Sequence, residues 1–237
     1  MVIALILSGG SGTRLGEYIP KQYIEVCGRC VISYCIERLS CHERIDGIQI
    51  VAARQWHETI RKCIERYDQN GKFRGFSESG ENRQLSIYNG LTDIRKYAED
   101  SDVVLVHDAA RPMLSAQMIT DCLQAVSGHD GVLPVLSMKD TVYQSSDGKR
   151  VGRLLNRGEI YAGQAPEVFR IGPYYEANKK LYPDRILEIN GSTEPAVMAG
   201  MDIVMIPGDE GNFKITTRDD LERFKEIVQR QNDISNT

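Results

Sequence analysis

A glycine-rich segment followed by two basic residues carries the clearest chemistry in this sequence. Residues 7–16 are L-S-G-G-S-G-T-R-L-G, and Lys21 follows within Pro-Lys-Gln at 20–22. Adjacent glycines let backbone amides approach an anion closely, and Arg14 and Lys21 would add positive charge beside them. The pattern predicts a polyphosphate site, in which these groups stabilise the charge that grows at the α-phosphorus during nucleophilic attack.

Two common phosphate-binding motifs do not fit this segment. A P-loop has Lys and then Ser or Thr after its last glycine, whereas Gly12 is followed by Thr13 and Arg14. A dinucleotide fingerprint starting at Gly10 would need a glycine where Leu15 stands. Glycine density alone would also fit a tight strand–helix turn with solvated basic side chains. The combination of G-G-x-G-T-R with P-K-Q favours the phosphate site.

The elements that position this segment follow an alternating pattern. Val2–Leu7 is entirely apolar, as expected of a parallel strand buried on both faces. Similar strands are predicted at 48–53, 103–106 and 131–136, with helices at 31–39, 55–67, 83–97 and 115–126. One apolar face is expected on the third helix, formed by Leu85, Tyr88, Leu91 and Ile94. The alternation predicts a single α/β domain over residues 1–237 with a mostly parallel sheet.

Residues 139–162 interrupt the alternation. Two β-prone runs at 141–144 and 151–155 flank S-S-D-G at 145–148, which is a turn signal. The segment is therefore predicted to form a hairpin arm projecting from the α/β body, and an ordinary edge hairpin is the alternative. A last helix is predicted from Thr217, because Thr217 and Asp220 have the spacing of a capping pair.

Composition and charge exclude several classes of function. The 237 residues are 41% hydrophobic and 26% charged, with a formal net charge of −4. That apolar fraction supports a packed core, no run approaches the ~20 apolar residues of a membrane helix, and the negative charge argues against nucleic acid. We expect a cytoplasmic protein without a membrane or nucleic-acid partner. Cys27 and Cys30 have a spacing that could serve zinc or redox chemistry, but without a second such pair reduced thiols are favoured.

Further motifs extend the pattern along the chain. They are G-E-N-R at 80–83 with Ser86, V-H-D-A-A-R-P at 106–112, K-D-T at 139–141, N-R at 156–157, Q-A-P at 164–166 with Phe169, and N-F-K-I-T-T at 212–217. With the glycine-rich segment, the sequence resembles the cytidylyltransferases of methylerythritol 4-phosphate and ribitol 5-phosphate. These belong to the nucleotidyltransferases of the sugar-nucleotide pyrophosphorylase type. The resemblance runs from residue 3 to about 225. It implies a three-layer Rossmann-like α/β domain with a twisted sheet and a β-hairpin arm.

The resemblance also implies a reaction and a set of site residues. CTP and a polyol phosphate would give a CDP-polyol and pyrophosphate, with Mg²⁺ bound mainly through the CTP phosphates and no metal ligands from the protein. A homodimer would form through the arm, whose Thr141 and Arg157 would complete the partner's site. Arg14 and Lys21 would stabilise the transition state, and Arg157 and Lys214 would orient the acceptor phosphate. Nucleotide contacts are expected from Leu7, Ser8, Gly9, Gly10, Gly12, Thr13, Gly80, Glu81, Arg83 and Ser86, and acceptor contacts from Asp108, Arg111, Thr141 and Arg157. His107 is expected to be structural.

Two segments depart from the family pattern on the acceptor side. Ala165-Pro166-Glu167 stands where Thr-Pro-Gln is usual, and the Thr-Asp pair expected near 190–191 is absent from I-N-G-S-T-E-P at 189–195. H-D-A-A-R-P favours methylerythritol 4-phosphate as the acceptor, whereas Y-x-G-Q-x-P from Tyr161 favours ribitol 5-phosphate. We place the former slightly ahead, with another alditol phosphate as a third option. A sugar-1-phosphate nucleotidyltransferase and a non-catalytic nucleotide sensor are the more distant alternatives.

Overall fold

A computed structural model describes residues 1–10 and 19–235 of the chain. The strands are β1 Val2–Leu7, β2 Glu25–Val26, β3 Arg29–Cys30, β4 Gly47–Val51, β5 Phe73–Ser77, β6 Val103–Asp108, β7 Gly131–Ser137, β8 Tyr143–Gln144, β9 Arg153–Leu154, β10 Tyr161–Gly163, β11 Glu167–Arg170 and β12 Ile203–Pro207. The helices are α1 Val31–Cys41, α2 His57–Tyr67, α3 Arg83–Ile94, α4 Ala116–Ala125, α5 Ile171–Lys179, α6 Glu194–Met198 and α7 Arg218–Ser235.

Eight of these strands form one mixed sheet that is mostly parallel. β1 lies between β4 and β6 and is parallel to both, and β5 extends the sheet beyond β4. On the other side, β11 runs antiparallel between β6 and β7, β10 is antiparallel to β7, and β12 is parallel to β7. The predicted α/β fold and its four predicted strands are confirmed.

Helices cover both faces of the sheet. Along β1, Ala4 and Ile6 face the layer of α1, α2 and α4, whereas Ile3 and Leu5 face α3, α5 and α6. All four side chains are fully buried, as the apolar run predicted. A smaller apolar cluster joins α7 to the start of α1. The result is three layers with a core on each face of the sheet.

The third predicted helix differs from expectation in its end and its buried face. α3 stops at Ile94, three residues before the predicted end. Ile87, Leu91 and Ile94 pack in the core between α3 and the sheet. Leu85 and Tyr88 instead pack on a separate small cluster formed by residues that follow α5. The three-residue spacing therefore joined residues that lie on two sides of the helix.

The predicted hairpin arm is present, with one correction to its boundary. Tyr143 pairs with Leu154 and Gln144 with Arg153, around a turn in which Gly148 adopts a φ of +67°. The predicted range of about 139–162 overlaps β10, which begins at Tyr161 and pairs with β7 in the main sheet. Hydrogen bonding to a sheet edge therefore ends the arm before its last predicted residues.

Two local predictions can be compared directly with the structure. Thr217 and Asp220 form a reciprocal cap at the start of α7: the Thr217 amide donates to Asp220 Oδ2 (2.8 Å) and the Asp220 amide donates to Thr217 Oγ1 (3.2 Å). Cys27 and Gly28 form the turn of a small hairpin between β2 and β3, and both have positive φ. All six cysteines are free, and no metal-binding cluster of His, Cys, Asp or Glu occurs in the described chain. None of its helices is long and apolar enough to span a membrane.

Candidate active site

The candidate site lies at the edge of the sheet where the parallel strands end. β1, β5, β6 and β12 all run in the same direction, so the segments after Leu7, Ser77, Asp108 and Pro207 emerge at one edge. Ligands of open α/β sheets bind at this edge. A cleft of about 640 Å³ opens there, lined by Leu7, Gly9, Gly10, Lys21, Gln22, Gly80, Glu81, Asn82, Arg83, Ser86, Asp108, Ala110, Lys214 and Thr216.

Asp108, the last residue of β6, is surrounded by positively charged side chains at this cleft. Its Oδ1 accepts hydrogen bonds from Arg83 Nη2 (2.8 Å) and Nε (3.2 Å), and its Oδ2 pairs with Lys214 Nζ (2.8 Å). Arg111 Nε lies 3.8 Å from Oδ2. Burial alone would raise the pKa of Asp108, but the charges of Arg83 and Lys214 outweigh it and hold the pKa well below its ordinary value. The four groups carry a net positive charge.

The segment that carries Lys214 is fixed on both sides of that residue. Arg111 Nη1 donates to the Asn212 carbonyl oxygen (2.8 Å), and Asn212 Nδ2 donates to the Ala165 carbonyl oxygen (2.8 Å). On the other side, the Ile215 amide donates to the Ala110 carbonyl oxygen (2.9 Å). These bonds hold Lys214 against the end of β6, so its ammonium group is positioned before any ligand binds.

The Pro-Lys-Gln motif supports the glycine-rich turn through hydrogen bonds. Gln22 Nε2 donates to the carbonyl oxygens of Ser8 (2.9 Å) and Gly10 (2.8 Å), and the Tyr23 hydroxyl also donates to the Ser8 carbonyl (2.8 Å). A Cβ at Gly9 would lie 2.7 Å from Ser79 Cβ, so the turn packs closely on the segment after β5. Lys21, in the same motif, lines the cleft.

Gly80 lies at a close approach between the loop after β5 and the first turn of α3. Its amide donates to Ser86 Oγ (3.0 Å), and that hydroxyl donates to the Asn82 carbonyl (2.9 Å). Asn82 also caps α3, because its Oδ1 accepts from the Leu85 amide (2.8 Å). A Cβ at position 80 would lie 2.5 Å from Leu85 Cγ and 2.8 Å from the Leu85 carbonyl carbon.

Replacing Gly80 by alanine is expected to lower the free energy of unfolding by about 1–3 kcal/mol, because Leu85 and its backbone would have to move. Urea unfolding monitored by circular dichroism measures the change. Gly191→Ala is the matched control, since no atom of the described residues, apart from the glycine and its two chain neighbours, lies within 4 Å of its Cβ position. A change within about 0.5 kcal/mol is expected there. Equal effects at the two positions would contradict the close packing at Gly80.

His107 precedes Asp108 but is not positioned to act in the cleft. Its side chain is fully buried, and Nε2 donates to the Arg111 carbonyl oxygen (3.0 Å). Burial lowers the pKa of His107 to about 4, so the ring is neutral at pH 7. These contacts support the structural role that the sequence predicted.

The structure brings together only part of the predicted site. Arg157 and Thr141 are exposed in the arm segment and do not line the cleft, and Arg157 Nη1 donates to the Lys139 carbonyl oxygen (2.8 Å). The Ser8 hydroxyl is buried against Tyr23 (2.8 Å). The predicted residues Arg14, Gly12 and Thr13 lie outside the described residues.

Four further cleft residues were not among the predicted site residues: Gln22, Asn82, Ala110 and Thr216. Each belongs to a motif from which a neighbouring residue was chosen, so motif membership was the signal that could have identified them. Asn82 stabilises the start of α3 through its cap and also donates from Nδ2 to the Ile186 carbonyl oxygen (2.9 Å).

Comparison with known proteins agrees with this geometry. A family model described as 2-C-methyl-D-erythritol 4-phosphate cytidylyltransferase matches residues 2–230. Curated relatives include the ribitol-5-phosphate cytidylyltransferase of Streptococcus pneumoniae serotype 2, 30% identical over 97% of this chain and 100% of that protein. The protein of the same name from Lactiplantibacillus plantarum is 28% identical over 98% of this chain and 100% of its own length.

Solved structures show the same similarity. The 4-diphosphocytidyl-2C-methyl-D-erythritol synthase of Anaerococcus prevotii has a TM-score of 0.81 at 26% identity, covering 96% of each chain. The 2-C-methyl-D-erythritol 4-phosphate cytidylyltransferase of Francisella tularensis has a TM-score of 0.78 at 25% identity, covering 94% of this chain and 97% of that one. The chain thus belongs to the 2-C-methyl-D-erythritol 4-phosphate cytidylyltransferase family and is a nucleotidyltransferase that transfers a cytidylyl group to a polyol phosphate.

Proposed function

We propose that the enzyme joins CTP to an alditol phosphate of the ribitol 5-phosphate type, giving a CDP-alditol and pyrophosphate. The observation that carries the chemistry is the cationic group of Arg83, Arg111 and Lys214 around Asp108 at the mouth of a glycine-lined cleft. The names of the curated relatives at 27–30% identity support ribitol 5-phosphate as the acceptor.

The reaction needs positive charge and alignment more than acid–base catalysis. An oxygen of the acceptor phosphate attacks the α-phosphorus of CTP and forms the new P–O bond. The bond between the α-phosphorus and the bridging oxygen to the β-phosphorus breaks, and pyrophosphate leaves with the electron pair. The acceptor phosphate is already an anion at neutral pH, so no base has to remove a proton. Lys214 and Lys21 would reduce the repulsion between the two polyanions and hold them in line.

Mg²⁺ would fit this site as an ion carried by the nucleotide. Asp108 already accepts hydrogen bonds or ion pairs on both oxygens, from Arg83 and Lys214. Glu81 also lines the cleft and could contact the ion's water shell. Bound to the triphosphate, Mg²⁺ would neutralise part of its charge and make pyrophosphate a better leaving group.

Methylerythritol 4-phosphate is the second candidate acceptor, and the sequence motifs placed it first. The family model that matches residues 2–230 is described by that substrate, which supports it. Both candidate acceptors carry a phosphate and several hydroxyl groups, so they differ only in the structure of the polyol.

A pyrophosphate-release assay with CTP and Mg²⁺ tests the proposal and separates the acceptors. Ribitol 5-phosphate, methylerythritol 4-phosphate, glycerol 3-phosphate and glucose 1-phosphate are compared, and ATP, GTP and UTP replace CTP in a second series. We expect kcat/KM of about 10⁴ M⁻¹s⁻¹ or more for ribitol 5-phosphate with CTP. Preference for methylerythritol 4-phosphate would favour the second candidate, and preference for glucose 1-phosphate would contradict the function.

We further propose that the arm, residues 139–160, pairs two copies of the chain and supplies Arg157 to the partner's cleft. Tyr143, Val151 and Leu154 are 57%, 68% and 60% exposed, so the arm presents three large apolar side chains that a partner could cover. Arg157 does not line the cleft of its own chain. A second copy with its own arm would bury the apolar side chains and complete both sites.

A mixture of two inactive variants tests this arrangement. Arg157→Ala and Lys214→Met are each expected to be nearly inactive alone, whereas an equimolar, unfolded-and-refolded mixture should recover about a quarter of wild-type activity, because half the dimers are mixed and each has one intact site. Refolded wild type is the control for recovery. A mixture as inactive as its components would show that Arg157 does not act in the partner's site.

A further inference from the structure

Two buried cysteine thiols contact each other near the residues that support the glycine-rich turn, and the chemistry above uses neither of them. Cys30 is the residue immediately before α1, and Cys63 lies in α2, which packs against α1. Their side chains are 8% and 6% exposed and belong to the same apolar cluster. Each thiol is in hydrogen-bonding contact with the other, and both are free. The pair is therefore close enough for a small movement to join the two sulfur atoms.

The structure pairs Cys30 with Cys63 rather than with Cys27, which the sequence spacing suggested. Cys27 lies in the turn between β2 and β3 and is exposed. Cys30 follows on the opposite strand of that hairpin, and its side chain is buried in the core against Cys63. The two cysteines of the sequence motif therefore differ in environment, and the facing thiol of Cys30 comes from a helix that begins 27 residues later.

The two facing thiols also differ in how readily they lose a proton. Cys30 is the N-cap residue of α1, where unpaired backbone amides and the helix dipole favour a negative charge. Its contact with Cys63 lowers the pKa of Cys30, whereas the same contact and burial raise the pKa of Cys63. The thiolate is the nucleophilic form of cysteine. Cys30 is thus suited to react first with an oxidant, and Cys63 to attack the oxidised sulfur.

Tyr23 connects this pair to the glycine-rich turn. It belongs to the same apolar cluster and lies close to both thiols. Its hydroxyl donates to the Ser8 carbonyl oxygen and accepts from the Ser8 hydroxyl, both at 2.8 Å, and its ring stacks on Trp56. Sulfur atoms in a disulfide are about 2.05 Å apart, much closer than two thiols in contact, so bond formation would draw α1 and α2 together. Displacing Tyr23 with them would weaken its hydrogen bonds to Ser8.

We propose that Cys30 and Cys63 form a redox switch, in which hydrogen peroxide converts the dithiol to a disulfide that weakens CTP binding. The Cys30 thiolate attacks the peroxide: an S–O bond forms, the O–O bond breaks, and the departing hydroxide takes a proton to give water. The Cys63 sulfur then attacks the sulfenic acid. The S–S bond forms, the S–O bond breaks, and the departing hydroxide leaves with the Cys63 proton as a second water. Two electrons pass from the thiols to the peroxide, and a dithiol reductant reverses the change.

Peptide mapping of the oxidised wild type tests the pairing. The reduced protein is treated with hydrogen peroxide, the remaining thiols are blocked with N-ethylmaleimide, and an unreduced digest is analysed by mass spectrometry. We expect a cross-linked peptide that contains Cys30 and Cys63, with Cys27 blocked as a free thiol. A cross-link between Cys27 and Cys30, or oxidation that yields no disulfide, would overturn the proposal.

Isothermal titration calorimetry with CTP and Mg²⁺ tests the effect on the site. Oxidation should raise the Kd of the wild type for CTP about fivefold, as expected for the loss of one hydrogen bond, and dithiothreitol should restore it. Cys63→Ser should lose this response, whereas Cys27→Ser, the exposed control, should retain it. Thermal unfolding of each variant shows whether the fold is retained, and the wild-type comparison needs no variant.

The effect on CTP rests on the proposed function, whereas disulfide formation does not. A reduced wild type that binds no CTP would overturn the proposed function and the switch together. Normal CTP binding that is unchanged in the cross-linked protein would overturn the switch alone. An equal response to peroxide in Cys63→Ser and the wild type would also overturn it, because the effect would then come from another oxidised residue.

Discussion

Replacement of Lys214 by methionine is expected to lower kcat by 10²–10³-fold. Lys214 Nζ is held 2.8 Å from Asp108 Oδ2 in the cleft, and the segment around it is fixed by Asn212 and Ile215. Losing one preorganised donor to a developing anion typically costs about 3–4 kcal/mol of transition-state stabilisation. Methionine keeps most of the side-chain volume, so the loss would report the charge rather than the packing.

Single-turnover pyrophosphate release measures this effect on the chemical step. Lys214→Arg should restore part of the rate because it restores the charge. Lys225→Met, at a half-exposed position of α7 whose ammonium group pairs with Glu222, is the control that should leave kcat within twofold. An unchanged kcat in Lys214→Met would show that this side chain does not act in the chemical step. It would also contradict the role proposed for the positive charges around Asp108.

Replacement of Asp108 by asparagine is expected to lower the free energy of unfolding by about 3–5 kcal/mol. The carboxylate pairs with Arg83 and Lys214 and lies near Arg111, and removing one partner of a buried ion pair leaves the other charges uncompensated. A fall in Tm of roughly 10 °C follows for a chain of this length. Differential scanning calorimetry measures it, with Asp93→Asn on the surface of α3 as the control.

The same carboxylate should also contribute to the acid sensitivity of the fold. The pKa of Asp108 is held well below its ordinary value by Arg83 and Lys214. A group whose pKa is depressed by folding stabilises the protein fully above its unfolded pKa of about 3.9 and loses that contribution as the pH falls further. Unfolding should therefore depend less steeply on pH below 4 in Asp108→Asn than in the wild type. Equal slopes would contradict the buried ion pairs.

Four strands of the main sheet were predicted from the sequence, whereas β5, β10, β11 and β12 were not. β1, β4, β6 and β7 contain apolar runs whose burial is visible in composition. β11 and β12 were not predicted, because β11 is four residues long and none of the five side chains of β12 is fully buried, two of them being exposed. β11 pairs Glu167 with Val106, two residues before Asp108. Pairing with β6 and β7 defines it, and this information is not local.

The site itself could be predicted where one motif supplies both the residue and its support. Lys21 was predicted as a site residue from the sequence. Its neighbour Gln22 was not, and the structure shows that Gln22 also lines the cleft and donates to the Gly10 carbonyl oxygen. The cluster around Asp108 could not be assembled from spacing, because Arg83, Asp108 and Lys214 come from three distant segments that only the sheet topology brings together. The contact between Glu167 and Thr193 likewise joins two distant segments. Both segments depart from the family pattern in the sequence, but only the structure shows that they are in contact.

The linkage in the product tests the central claim most directly. The enzyme is incubated with CTP, Mg²⁺ and the preferred polyol phosphate, and the product is examined by ³¹P NMR and mass spectrometry. Attack by the acceptor phosphate predicts one CDP-polyol with two mutually coupled diphosphate signals, no phosphomonoester and equimolar pyrophosphate. A product that retains a phosphomonoester would show attack by a polyol hydroxyl, and release of CMP or CDP without a conjugate would show hydrolysis. Either result would contradict transfer between two phosphates in this cleft.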